Sequence, residues 1–95
     1  MTPTIVTHVS SEYDVYIGRA GHGHDGYFGN PYFMRYEWQR DEVLANYRNY
    51  FAHRIVDDPE FRRRVLELKG KRLGCFCKPW HACHGDIIKE WLDAQ

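Results

Sequence analysis

The stretch from Gly70 to Asp86, GKRLGCFCKPWHACHGD, holds all three cysteines and two of the six histidines of the chain. Its hydrophobic period changes part-way along, and that change dictates a strand running through a loop into a helix. Between Lys71 and Cys77, the residues Leu73, Cys75 and Cys77 alternate with Arg72, Gly74 and Phe76, the period of two that places each set on one face of a strand. Lys78 to Ala82 breaks the pattern at Pro79 and reads as a loop. Cys83-His84-Gly85-Asp86 then opens an amphipathic helix with Ile87, Ile88, Trp91 and Leu92 on its inner face. A strand feeding a helix N-terminus is where a small α/β protein sets backbone N–H groups beside reactive side chains.

The segments before this junction supply its partners. Ile5 to Val9 is rich in β-branched residues and reads as a strand. After a turn at Ser10-Ser11-Glu12, Tyr13 to Arg19 reads as a second strand, with Tyr13, Val15 and Ile17 on one face and Gly18-Arg19 at its C-terminal end. Ala20 to Pro31 is glycine-rich, lacks apolar periodicity, and has the length of a functional loop closed by a turn at Gly29-Asn30-Pro31. Tyr32-Phe33-Met34 suggests a short extended piece. Asp41 then reads as the N-cap of a helix to about Val56, with Val43, Leu44, Tyr47, Phe51 and Ile55 at helical spacing. Asp58 as N-cap and Pro59 at the first helical position begin a second helix, with Phe61, Val65 and Leu68 inward and Gly70 closing it.

The order ββ, αα, βα has no internal repeat and no dividing linker, so residues 1–95 form one α/β domain. The expected architecture is a short, mainly parallel sheet of three or four strands packed by three helices, Rossmann-like in type. A right-handed crossover makes the strand ending at Gly18-Arg19 and the strand ending at Cys77 parallel neighbours. Their C-terminal ends then share the edge where open α/β sheets bind ligands.

Aromatic residues at 16% and hydrophobic residues at 43% support a folded core rather than disorder. The 13 basic and 13 acidic residues cancel, which removes a general basic surface as a reason to expect nucleic-acid binding. No stretch approaches a membrane span, and MTPTIVTHV lacks the pattern of a signal peptide, so a cytoplasmic location and no membrane partner are expected. Three cysteines cannot all pair, and thiol chemistry or metal ligation is favoured over a disulfide scaffold.

Tyr16-Ile17-Gly18-Arg19, Gly29-Asn30-Pro31, Gly70 to Cys77 and Cys83-His84-Gly85-Asp86 together resemble a phage and bacterial family catalogued as domain of unknown function 4326. The resemblance covers nearly the whole chain and departs from the family pattern at Phe76, where Trp is common, and in the Pro79 to Ala82 loop. Cys75 followed by Cys83-His84 resembles, more loosely, the family catalogued as domain of unknown function 488. The resemblance implies a fold and a site without naming a reaction or a cofactor, and it makes nucleotide or nucleic-acid metabolism a reasonable class.

Cys75, Cys77, Cys83 and His84, with His81 as a substitute, satisfy the count for a Cys₃His zinc site. Against this, Cys-x-Cys on a regular strand separates two sulfurs by roughly 6 to 7 Å, which favours small core residues or ligand contacts over a metal. Cys83 and His84 begin a helix, where the dipole and N–H groups lower a thiol's pKa, so Cys83, His84 and Asp86 are the candidate catalytic residues. Asp86 can alternatively cap the helix, and Gly85 allows close approach to the backbone. Gly18, Arg19, Gly29, Asn30, Cys75, Cys77 and Gly85 are the candidate ligand contacts, with Arg19 suited to a phosphate or carboxylate. Asn30 also suits the turn before Pro31. His22 and His24 lie in the glycine loop, the Arg62-Arg63-Arg64 run reads as a solvated face, and Tyr27, Phe28, Tyr32, Phe33, Tyr36 and Trp38 divide between core and stacking roles.

The leading expectation is therefore binding, with or without processing, of a nucleotide or related phosphorylated small molecule at the strand C-terminal edge. The competing expectation is a zinc-stabilised module that binds protein or nucleic acid.

Overall fold

The computed structural model describes residues 3–21, 23–32, 34–76 and 81–95. The strands are β1 (Ile5–His8), β2 (Val15–Tyr16) and β3 (Arg72–Cys75), and the helices are α1 (Arg40–Asp57), α2 (Pro59–Leu66) and α3 (His84–Asp93). Among the described residues these strands make a three-stranded sheet of order β1-β3-β2 in which both pairs are parallel. The chain is thus a small α/β domain with a parallel sheet and three helices. Among the described residues a helical crossover runs from β2 through α1 and α2 to β3.

β3, the last strand in sequence, lies between the first two. Val6 and Val15 both stand opposite Leu73, and Thr7 and Tyr16 both stand opposite Gly74. The connection from β1 to β2 therefore has to pass over one face of β3. It does so at Gly74, where an added Cβ would stand 2.7 Å from Cγ of the Tyr13 ring. Glycine at this position leaves room for the ring to lie against the strand. On the opposite face Leu73 and Cys75 are buried beneath the helices. β2 is short as a strand, but its ladder continues through hydrogen bonds from Asp14 N to Arg72 O (2.8 Å) and from Ile17 N to Gly74 O (3.0 Å).

The helices follow their apolar spacing. Tyr47, Phe51 and Ile55 of α1, Phe61 and Val65 of α2, and Ile87, Ile88 and Leu92 of α3 are buried in one core with Ile17 and Leu73. Phe51 meets the Phe61 and Trp91 rings edge-on at centroid distances of 5.7 and 6.0 Å, contacts worth about 0.5–1.5 kcal/mol each beyond area burial. Asp58 caps α2 by accepting a hydrogen bond from Phe61 N at 3.1 Å, with Pro59 at the first helical position.

Several local expectations differ from the fold: β2 holds only Val15–Tyr16 of the expected Tyr13 to Arg19, and α2 ends at Leu66 rather than running to Gly70. α1 begins at Arg40 after a 3₁₀ turn at Glu37–Gln39, so Asp41 lies inside its first turn and is not the N-cap. The Gln39 side chain explains the earlier start, since its Oε1 accepts from both Arg35 N and Tyr36 N at 2.9 Å. Tyr32 and Met34 join no strand, because Tyr32 N is instead bonded to the Asn30 side chain. β3 ends at Cys75, while Cys77 lies outside the described residues, as do His22 and Phe33.

Candidate functional site

A cleft of about 710 Å³ opens at the C-terminal ends of all three strands, bordered by Val9 after β1, Gly18 and Arg19 after β2, and Cys75 and Phe76 at the end of β3. Cys83 and His84 contribute its floor, and Met34, Val43 and Leu44 an apolar wall. The size falls within the range of small-molecule sites.

The floor is built by the first turn of α3. Cys83 is the N-cap, and its Sγ accepts from Gly85 N at 3.4 Å. Asp86 closes the reciprocal half of a capping box by accepting from Cys83 N at 3.0 Å, while Asp86 N donates to Cys83 O at 2.9 Å. The N–H groups of residues 85 and 86 are thereby committed to Cys83. The His84 ring is fixed by Ile17, whose carbonyl stands 2.6 Å from Nε2. A carbonyl only accepts, so Nε2 carries a proton, and Nδ1 faces Cys83 Sγ at 3.5 Å. Cys75 Sγ lies 3.0 Å from Cys83 Sγ. Both cysteines are about 1% exposed and His84 is 8% exposed, and Cys83 also lines a smaller hollow with Asp41, Ala82 and Asp86.

Close approach of α3 to the sheet depends on Gly85. A Cβ there would stand 2.6 Å from Ile17 Cδ1 and 2.9 Å from Val6 Cγ1. Its lack of a side chain brings His84 within reach of the Ile17 carbonyl.

The rim is aromatic and cationic. Tyr16 stacks on His24 at a centroid distance of 4.1 Å and donates its hydroxyl to Arg19 O at 2.9 Å. Burial, followed by the neighbouring Tyr13, raises the Tyr16 pKa and keeps the phenol a donor. Phe76 stands 60% exposed at the mouth, edge-on to Tyr16 and His8. The Arg19 guanidinium donates to Tyr32 O at 2.5 Å, which ties the far end of the glycine-rich loop to the end of β2. Asn30 Oδ1 accepts from Tyr32 N at 2.8 Å and so holds the turn around Pro31.

Of the sequence-derived candidates, the cleft brings together Gly18, Arg19, Asn30, Cys75, Cys83 and His84. Gly29, Gly85 and Asp86 lie outside its described lining. Gly29 packs against the Gly18–Arg19 backbone, Gly85 against Val6 and Ile17, and Asp86 serves the cap. Cys77 lies outside the described residues. Sequence reasoning missed Arg40, which lines the cleft at the start of α1. Its Nε and Nη2 fork onto Glu37 at 2.6 and 3.0 Å, and Nη1 donates to Ala82 O at 2.8 Å, joining α1 to the chain entering α3. Only its spacing of three from Glu37 hinted at this in the sequence. Among the described residues, no group of three or more His, Cys, Asp or Glu side chains is arranged to hold a metal ion. No helix among them is long and apolar enough to cross a membrane.

Comparison with known proteins adds relatives without an assigned activity. A family model described as a domain of unknown function, DUF4326, matches residues 6–94. The chain is 33% identical over 84 residues to an "Uncharacterized 12.4 kDa protein in nrdA-td intergenic region" of Enterobacteria phage T4, covering 88% of this chain and 71% of that relative. No solved structure matches it significantly.

Proposed function

We propose that this chain, which belongs to the DUF4326 family of domains of unknown function, binds a nucleotide or a related phosphorylated small molecule in the cleft at the strand C-termini. The observation that carries this reading is the union, in one cavity of about 710 Å³, of the Arg19 guanidinium with the Tyr13, Tyr16 and Phe76 rings. A guanidinium suits a phosphate, and aromatic faces suit a base. The apolar wall from Met34, Val43 and Leu44 excludes water around such a ring. Because Gly85 N and Asp86 N are bonded to Cys83, the anion contact in this reading falls to Arg19 rather than to those helix N–H groups. The Cys83–His84 pair at the floor supplies a thiol beside a base, the arrangement by which bound ligand is processed.

Thermal unfolding with nucleoside monophosphates, the corresponding nucleosides and inorganic phosphate tests the reading, since a ligand that binds the native state raises its melting temperature. A monophosphate should stabilise more than its nucleoside, and Arg19→Ala should weaken it about 10- to 100-fold, the worth of one charge-assisted contact. Equal responses of nucleoside and monophosphate, or an unaltered response in Arg19→Ala, would overturn it. Stoichiometric zinc, retained on dialysis and required for folding, would instead favour the zinc-stabilised module.

A further inference from the structure

The sulfur pair on the cleft floor has a chemistry of its own, independent of whether a nucleotide binds above it. We propose that Cys75 and Cys83 form a redox-active dithiol that reduces a small peroxide entering the cleft and is restored by a thiol reductant.

Their Sγ atoms are 3.0 Å apart, and a disulfide spans about 2.05 Å, so closure takes about 1 Å of sulfur movement. The two positions are joined by no shared helix or strand: Cys75 ends β3 and Cys83 caps α3. The surroundings assign the roles. Cys83 Sγ receives the Gly85 N–H and faces His84 Nδ1, at the positive end of the ten-residue helix α3. Those groups stabilise a thiolate, with the proton held on His84 Nδ1 and the imidazolium's other N–H on the Ile17 carbonyl. Cys83 is the attacking sulfur and Cys75 the resolving one. The residues' burial restricts the oxidant to one small enough to reach the floor, which hydrogen peroxide is.

The steps balance. Cys83 thiolate attacks one peroxide oxygen; the S–O bond forms as the O–O bond breaks, and the departing hydroxide takes the His84 Nδ1 proton to leave as water. Cys83 is then a sulfenic acid. The Cys75 thiol attacks Cys83 Sγ; the S–S bond forms, the S–O bond breaks, and hydroxide leaves as a second water with the Cys75 proton. Two thiols and one hydrogen peroxide give one disulfide and two waters, the protein pair losing two electrons. Exchange with a dithiol reductant returns both thiols.

The test treats the native protein with one to a few equivalents of hydrogen peroxide, followed by alkylation and peptide mapping by mass spectrometry. The expected result is loss of the mass of two hydrogens, a Cys75–Cys83 cross-linked peptide that survives in Cys77→Ser, and full reversal by dithiothreitol. Cys75→Ser should stop at a sulfenic acid on Cys83 that dimedone traps, and Cys83→Ser should lose at least tenfold in the rate of peroxide consumption. A cross-link that uses Cys77 in place of either residue overturns the proposal. So does oxygen addition or unchanged thiols with no Cys75–Cys83 peptide. The mapping is read on the wild-type protein, so it decides the matter even where a serine variant folds poorly.

Discussion

Gly74→Ala should destabilise the protein, and Tyr13 should be the whole reason. The backbone at Gly74 lies outside the left-handed region, so alanine meets no backbone strain there. In isolation the change should help, because glycine in a strand interior costs about 0.5–1 kcal/mol relative to alanine. The new methyl, however, would stand 2.7 Å from Tyr13 Cγ and 2.9 Å from Cδ2, at the root of the ring rather than at its flexible end. Moving those atoms means lifting the β1–β2 connection off the central strand. Overpacking of this kind costs about 1–3 kcal/mol, so at the middle of both ranges the net loss is about 1.3 kcal/mol. For a domain of this size the loss corresponds to a melting temperature about 5–10 °C lower. Thermal and denaturant unfolding of Gly74→Ala, Tyr13→Ala and the double variant separates the two contributions. With the ring removed, Gly74→Ala should become neutral or stabilising, so the coupling between the positions should equal the overpacking cost of about 1–3 kcal/mol. An equal loss in both backgrounds refutes the argument and places the cost in the strand itself.

Two further outcomes rest on the exposed charges. Arg72 binds Asp14 through its side chain and backbone N–H and holds its carboxyl at about 2, below the ordinary 3.8, while Arg63 and Arg64 hold Glu60 at about 2, below 4.5. A depressed carboxylate contributes stability above its unfolded pKa and loses it as pH falls, so stability should drop from about pH 4.5 toward pH 2. In denaturant titrations Asp14→Asn should be less stable than wild type at neutral pH and converge on it in that window; a constant gap down to pH 2 would count against the Arg72 link. Asp58→Ala removes the acceptor for Phe61 N at 3.1 Å and should lower the melting temperature read by circular dichroism; an unchanged melting temperature would refute the capping role.

The parts of the fold visible in the sequence are those fixed by neighbouring residues. The Asp58-Pro59 start of α2, the inward sets of all three helices and the strand-loop-helix order around the cysteines depend on spacing alone. Asp41 misled because capping preference is a property of residue type, whereas the real start depends on where the Gln39 amide folds back to the N–H groups of residues 35 and 36. The insertion of β3 between β1 and β2 depends on contacts far apart in sequence. Ser10-Ser11-Glu12 announces a change of direction but says nothing of which strand the chain then crosses. The available clue was a glycine inside an otherwise apolar strand, Gly74, and it needed Tyr13 as its counterpart before it carried information.

The same distinction orders the site. Cys83, His84 and Asp86 were legible as a group because a helix start is local, but the division of labour among them is not. Asp86 serves the Cys83 backbone, and the group that orients His84 is the carbonyl of Ile17, which any residue at that position would provide. That bond exists because β2 lies beside β3 in parallel, so Ile17 emerges at the same sheet edge as Cys75, and because Gly85 lets α3 settle onto Ile17 and Val6. A glycine read as an approach point for a ligand is thus an approach point for the protein's own sheet. Sheet order and the missing Cβ together set the His84 ring, the ring directs Nδ1 toward Cys83, and Cys83 meets Cys75 across the gap between α3 and β3. The geometry of the floor is therefore a consequence of how closely the last helix packs on the central strands.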